Sequence, residues 1–242
     1  MRKTIVVALT ALLSMPPLAA QEGTSARVVR PHAAVINRTL GEWSAIWWKW
    51  AYGIPVTDNP VLDTTGAKAK FGDVGPVFFL AGAFTSGTVH RTATVPAEKF
   101  IFFPVLNSVN DNVGVSSRVT IDVLSGQLAD ALPLTTELHA SVDGVAVPNL
   151  FTHREISPVF SYTLQLTDNV QQDVFGNHGP DAVGTVFPAV ADGFYLMLKP
   201  LSPGHHVINF GGSSPGLNFI IDVTYDITVT PTEVEQPAVL VP

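Results

Sequence analysis

The sequence contains no cysteine and few charged residues. Without cysteine, disulfide bonds and thiolate-bound metals are excluded, so the fold must be stabilised by burial of its core. Charged residues make up only 14% of the chain, against about 25% in an average soluble domain. Acidic residues outnumber basic ones by 20 to 13. Because nucleic acids are bound through Lys and Arg, the sequence predicts no nucleic-acid partner.

The first 20 residues have the pattern of a secretory signal peptide. Arg2 and Lys3 form a basic head, the apolar run TIVVALTALLSM follows, and small residues lead to Ala20, the predicted cleavage position. The apolar run of about a dozen residues is shorter than the roughly 20 that span a bilayer. The sequence therefore predicts an exported protein, periplasmic or extracellular, with no membrane span in the mature chain.

The remaining chain divides into three predicted parts. Residues 21–38 are polar and lack a clear period, so we expect an extended lead-in. Residues 39–229 are predicted to form one β-sandwich domain, and residues 230–242 a Pro-rich tail.

A helix is predicted over residues 40–52, a segment that holds all four tryptophans. Thr39 and Glu42 have the spacing of a capping box, in which each side chain accepts an N–H at the start of the helix. Gly53 followed by Pro55 is typical of a helix end.

The predicted helix carries large aromatic side chains both on one apolar stripe and outside it. Four side chains at spacings of three and four residues form a stripe that we expect to dock on the sandwich: Trp43, Ile46, Trp47 and Trp50. Trp48 and Tyr52 point away from that stripe. We expect residues 56–73 to cover them; the alternative is that both rings stack on a sugar ring or an aromatic ligand.

Beyond the helix, the pattern changes to short segments rich in β-branched and aromatic residues and bounded by turn residues. The predicted strands are GPVFFLAG, TVHRTATVP, FIFFPVLN, RVTIDVL, ELHASV, FSYTLQL, GFYLML, HHVINF and NFIIDVTYDITV. Asp143-Gly144 suits a two-residue hairpin turn. The fold class is therefore all-β: a β-sandwich, with the jelly roll as one form of it, and the Trp-rich N-terminal helix packed on it.

Signals for catalysis are weak. Ser214 lies in GGSSPG, which matches the nucleophile-elbow pattern, but proline and then a predicted strand follow it, whereas the motif requires a helix. A glycosidase would need two carboxylates facing each other, and the sequence alone does not pair any. Catalytic residues remain unassigned, and we lean towards a protein that is not an enzyme.

Signals for a metal are also weak, and no cofactor is predicted. None of the seven histidines has a recognised ligand spacing. Four residues are weak candidates for Ca²⁺ or a transition metal: His90, His178, Asp173 and Asp181. The two aspartates lie in a segment rich in Asn and Gly, where ordinary turn chemistry is the favoured explanation.

Several segments carry a family resemblance: GEWSAIWWKWAYGIP, GPVFFLAG, TVPAEKFIFFPVLN and LSPGHHVINFGG with DVTYDITV. They resemble, in order, the Trp-rich helix, the GPVWFLAG-like, TVPAGK-FFP-like and PG-H-I-F-GG…DVTYNLTV-like segments of a family of exported bacterial proteins of uncharacterised function. The resemblance covers most of residues 39–229 and implies a shared fold without implying an activity.

The resemblance also implies a contact between two alanines. Relatives have cysteines at the positions of Ala69 and Ala93, and the joint loss of both suggests that they pair as a disulfide in the family. Such a bridge would join the loop after the helix to the strand that holds His90 and Arg91. We expect any ligand pocket there; the alternative for Arg91 is an ion pair with Asp63 or Asp73.

The sequence thus predicts a binding or structural role with four candidate ligand-binding residues: Trp48, Tyr52, His90 and Arg91. A glycan or other extracellular polymer is the expected partner, because aromatic faces and neutral polar loops suit sugars. One alternative is a secreted polysaccharide hydrolase or lyase that uses loop carboxylates or histidine. The other is a metal-binding protein.

Overall fold

The computed structural model describes residues 27–231, and β-strands dominate them. The strands are β1 (Ala34–Val35), β2 (Arg38–Thr39), β3 (Asp73–Val74), β4 (Val77–Phe79), β5 (Gly87–Pro96), β6 (Phe100–Asn110), β7 (Glu137–Val142), β8 (Val145–Ala146), β9 (Arg154–Ile156), β10 (Phe160–Leu164), β11 (Gly184–Leu198), β12 (Gly204–Ser214) and β13 (Phe219–Thr230). Helices α1 (Leu40–Gly53), α2 (Ile121–Ala131) and α3 (Val170–Asp173) accompany them. The predicted signal peptide and nearly all of the predicted Pro-rich tail lie outside the described residues.

Two sheets form the sandwich that the sequence predicts. The first has the strand order β10-β11-β6-β4-β3, with β9 also paired to β11; the second has the order β5-β13-β12-β7-β8. Apolar side chains from the facing surfaces fill the space between the sheets; among them, the rings of Phe103 and Phe210 lie 4.6 Å apart. Most neighbouring strands are antiparallel, but β4 runs parallel to β6 and β5 parallel to β13.

Helix α1 covers the outer face of the first sheet and forms a second apolar cluster there. Its predicted capping box is present: the Thr39 hydroxyl accepts the Glu42 N–H at 3.1 Å, and the Glu42 carboxylate accepts the Thr39 N–H at 2.7 Å. These bonds lower the pKa of the Glu42 carboxyl. The layers are therefore helix, first sheet and second sheet, and β6 is buried on both faces.

The predicted apolar stripe of α1 is only partly correct. Trp43 and Trp47 are buried, whereas Ile46 and Trp50 are half-buried. The Trp50 Nε1 donates to the Phe71 carbonyl at 2.6 Å, so the loop after α1 covers Trp50.

Trp48 and Tyr52 are covered, as predicted, but the first sheet covers them rather than residues 56–73. Both side chains are buried, with 6% and 5% of their surface exposed. Trp48 Nε1 donates to the Tyr195 hydroxyl at 3.2 Å, and the Tyr52 ring lies 4.8 Å from that of Tyr162. The first sheet covers them because α1 packs along β10 and β11, which carry these two tyrosines.

One predicted strand is a helix. The segment RVTIDVL, residues 118–124, runs into α2, and the Thr120 hydroxyl caps the helix by accepting the Val123 N–H. Leu124 and Leu128, four residues apart, form the buried side of α2. This i, i+4 spacing after a threonine is a helix signal that the β-branched residues at its start obscured.

The other predicted strands overlap observed ones, and the hairpin at Asp143-Gly144 is confirmed. Both residues have positive φ, 54° and 76°, as a two-residue turn between β7 and β8 requires. The described part of the predicted lead-in is tied to the sandwich, since Val28 forms a bridge with Leu198. Within residues 27–231, no helix is long and apolar enough to cross a membrane.

Candidate ligand pocket

A pocket of about 300 Å³ opens to solvent beside α1. It lies between the helix, the second half of β6 and the start of β13, so both apolar clusters contribute to its walls. Six aromatic rings line it: Trp47, Trp48, Tyr52, Phe84, Phe175 and Phe219. The size and the aromatic lining are those of small-ligand sites, which start near 300 Å³. We call this space the aromatic pocket.

Polar atoms make up about half of the accessible lining of the aromatic pocket. Tyr195 is fully buried behind it and accepts from Trp48 Nε1 at 3.2 Å and from Asn107 Nδ2 at 3.3 Å. Burial raises the pKa of Tyr195, so its phenol stays neutral. Asn107, Ser108 and the hydroxyl of Tyr52 contribute polar side-chain groups among the described residues that line the pocket, and none of these lining residues carries a charge.

Tyr52 connects the aromatic pocket to a buried acid. Its ring lies 5.2 Å from that of Trp48 and 4.8 Å from that of Tyr162. The Tyr162 hydroxyl donates to the Asp111 carboxylate at 2.6 Å. Burial raises the pKa values of Tyr52, Tyr162 and Asp111. Asp111 does not line the pocket, so this network supports the wall rather than offering a group to a ligand.

The structure separates the four candidate ligand-binding residues. Trp48 and Tyr52 line the aromatic pocket, but His90 and Arg91 lie on β5 and do not reach it. His90 is exposed and hydrogen-bonds the Asp226 carboxylate. The sequence prediction placed any ligand pocket between the loop after α1 and strand β5; an open groove lies there, but Thr92 and Ala93 line it rather than His90 and Arg91.

Arg91 is a structural residue. It is 1% exposed, and its guanidinium donates to the carbonyls of Asp63, Ala81 and Val61 and to the Tyr225 hydroxyl. The alternative of an ion pair is also corrected: among the described residues, no carboxylate lies within 4.0 Å of its nitrogens.

The weak metal candidates do not converge. Within residues 27–231, no group of three or more His, Asp or Glu side chains could hold a metal ion. Asp181 accepts the Gly114 N–H at 2.9 Å, a contact between loops. His90 and His205 approach the two oxygens of Asp226 from different strands, so the carboxylate lies between them.

Ser214 is fully buried at the end of β12, where a 3₁₀ turn and then β13 follow it. The helix that a nucleophile elbow requires is replaced by a strand.

Two alanines, Ala69 and Ala93, occupy the positions at which the family resemblance implies a disulfide. Both line one open groove between the 3₁₀ turn Ala69–Gly72 and β5. The chain is tied there by the Thr92 N–H, which donates to the Thr65 carbonyl at 3.0 Å.

We therefore expect the double variant Ala69→Cys, Ala93→Cys to form a disulfide in the folded protein. Closing a loop of this length stabilises a chain by about 3 kcal/mol in the loop-entropy model. Thiol titration before and after mild oxidation, with urea unfolding of both forms, measures the result. The two single variants are the controls. Thiols that stay free in the folded double variant would contradict the pairing.

Comparison of the chain with protein-family models, curated proteins and solved structures gives no match. The pocket itself therefore carries the functional argument. Sequence patterns identified Trp48 and Tyr52 but missed Phe84, Phe175 and Phe219. Each of these three comes from a separate loop or strand start, and no local spacing links them.

Proposed function

We propose that this protein is an exported, non-catalytic binding protein whose ligand enters the aromatic pocket. The observation that supports this function is a solvent-open pocket of about 300 Å³ with six aromatic rings. Export is proposed from the signal-peptide pattern, and the family resemblance agrees with it.

The ligand that suits the aromatic pocket is uncharged and presents apolar surface together with polar groups. A charged group placed among these rings would lose hydration without meeting an opposite charge, which is costly. Apolar surface gains about 25 cal/mol per Å² when it leaves water, so rings and aliphatic chains bind there favourably. Asn107 and Ser108 at the wall can orient one polar group of the ligand.

A glycan is the second candidate. Trp48 and Tyr52, two of the candidate ligand-binding residues, line the aromatic pocket. A sugar ring has an apolar face that packs on aromatic side chains, but its hydroxyls also need several polar partners. Asn107, Ser108 and the Tyr52 hydroxyl supply polar side-chain groups in the described lining, so side chains could meet only some of the hydroxyls of a terminal sugar.

The hydrolase and metal-binding alternatives are less well supported. Acid–base hydrolysis of a glycan needs two carboxylates across the bound sugar, and the described lining of the aromatic pocket holds none. Metal analysis of the purified protein tests the metal-binding alternative.

The emission of the tryptophans tests the proposed function, because Trp47 and Trp48 line the pocket. We expect a saturable change of emission on titration with at least one class in a panel of neutral apolar compounds and oligosaccharides. Gly82 also lines the pocket, and a Cβ there would have its nearest neighbours at 3.7 and 3.8 Å. Gly82→Ala should therefore fold and bind, whereas Gly82→Leu should fill the pocket and weaken binding about tenfold or more.

Equal binding by the Gly82→Leu and Gly82→Ala variants would place the ligand elsewhere. An emission that no compound changes would count against a small-ligand pocket.

A further inference from the structure

The aromatic pocket lies along the edge of a β-strand. Six consecutive residues of β6, 104–109, line it. Successive residues of a strand point to opposite faces of the sheet, so a cavity on one face would touch every second residue. Contact with every residue means that the cavity runs beside the backbone of β6. It occupies the place where the next strand of the first sheet would lie.

The neighbouring strand on that side stops early. β4 pairs with β6 only at Phe100–Phe102, and the last bond is from the Leu80 N–H to the Phe102 carbonyl at 3.0 Å. The chain continues through Gly82, which also lines the pocket and lies beside Pro104, since a Cβ there would be 3.7 Å from Pro104 Cγ. Within the described residues, the edge of β6 beyond Phe102 has no strand partner on this side.

The register identifies which backbone groups face the pocket. Phe100 and Phe102 direct their backbone N–H and C=O groups towards β4. The backbone groups of Ile101 and Phe103 therefore point the other way, towards β11. A β-bulge between the pairs Pro104–Tyr195 and Leu106–Phe194 shifts this alternation by one residue. Beyond the bulge, the N–H and C=O groups of Asn107 and Val109 therefore point away from β11 and into the aromatic pocket.

Both faces of an added strand would find apolar walls. On the side of α1 lie Trp48 and Tyr52; on the side of the second sheet lie Phe219 and Ile221. The lining carries no charged side chain among the described residues, which matches an uncharged occupant.

We propose that the free edge of β6 binds an extended, uncharged peptide segment, which adds to the first sheet as a strand. This inference rests on the proposed function, because it concerns the same pocket. An unpaired strand edge presents alternating donors and acceptors that match a peptide backbone, and strand addition to such an edge is a general mode of peptide recognition. A sugar offers hydroxyls without that regular spacing.

The segment that the edge can hold is short. Residues 104–109, one of them in the bulge, span about 16 Å of strand at the usual rise of 3.3 Å per residue. Three or four residues of the peptide would lie in the pocket. Their side chains would alternate between the aromatic rings of α1 and the second sheet, so apolar residues are expected at consecutive positions.

The test uses a library of random heptapeptides selected on the full chain, followed by synthesis of the enriched sequences with acetyl and amide caps. We expect uncharged sequences with apolar centres. Binding should slow hydrogen exchange at the amides of Asn107 and Val109, and N-methylation of the peptide at alternate residues should weaken binding about tenfold.

Two variants isolate the backbone donor. Val109→Pro removes the N–H that faces the pocket while leaving the bonds to β11 in place, and Val109→Ala keeps it. The proposal expects about tenfold weaker peptide binding for Val109→Pro than for Val109→Ala. If Val109→Pro does not fold, the N-methylated peptides give the same comparison on the unaltered protein.

Binding that is indifferent to N-methylation, or that leaves the two amides unprotected, would overturn strand addition. If oligosaccharides or small apolar compounds change the tryptophan emission and no capped peptide binds, the inference fails and the proposed function stands. If neither peptides nor small compounds bind, the strand-addition inference and the proposed function are both contradicted.

Discussion

Replacing Arg91 with methionine is expected to lower the free energy of unfolding by about 2–5 kcal/mol. The guanidinium is buried and satisfies the carbonyls of Val61, Asp63 and Ala81. Methionine fills much of the volume but donates no hydrogen bond, so the carbonyls of Val61 and Asp63 would lose their donor, whereas the Ala81 carbonyl would keep the Tyr225 hydroxyl. Urea unfolding, followed by tryptophan emission, measures the loss.

Arg118→Met is the matched control. Arg118 is exposed and donates to the Phe187 carbonyl at 2.6 Å. The same substitution there should change stability by no more than about 0.5 kcal/mol. Similar losses for both variants would show that Arg91 does not hold the loop after α1. Arg91→Lys should also lose stability, because a single ammonium group cannot donate to all of the acceptors that the planar guanidinium of Arg91 reaches.

Alkaline pH is expected to unfold the protein in one step that releases every tyrosine. All four tyrosines are buried, with 5% or less of their surface exposed, and burial raises the pKa of each phenol. An unfolded tyrosine ionises near pH 10. Because the folded pKa values are raised, stability is unaffected below that pH and falls above it, by up to about 5 kcal/mol per pH unit for four groups.

Absorbance of tyrosinate and far-UV circular dichroism, recorded together against pH, test this expectation. The two signals should change together in the native protein, whereas the protein in concentrated urea should titrate gradually near pH 10. Gradual ionisation near pH 10 with unchanged circular dichroism would show that the phenols are accessible in the folded state.

Local chemistry made much of the fold predictable. Helix α1 was found because a capping box is complete within the four residues Thr39–Glu42. The turn at Asp143-Gly144 was found because its two residues tolerate positive φ. Helix α2 was missed because its first residues favour strands, while its buried side lies one turn further on.

The aromatic pocket could be predicted only in part, because its walls depend on tertiary contacts. Trp48 and Tyr52 stood out through their position on α1. What covers them is decided by Tyr162 and Tyr195, which lie more than 100 residues further along the chain. Likewise, a free strand edge exists only because β4 ends where it does, and the apolar run of β6 does not reveal that.

The parallel pairing of β5 with β13 has a consequence for the order of folding. Gly87 aligns with Ile221, so the two strands are separated by more than 120 residues of chain. Contacts so distant in sequence close late and slow the folding of a β-rich protein. Until residues 219–230 are available, β5 has no partner in the second sheet, and its exposed amides could pair with another chain. A chain shortened before Phe219 should therefore aggregate rather than remain as a stable half-sandwich.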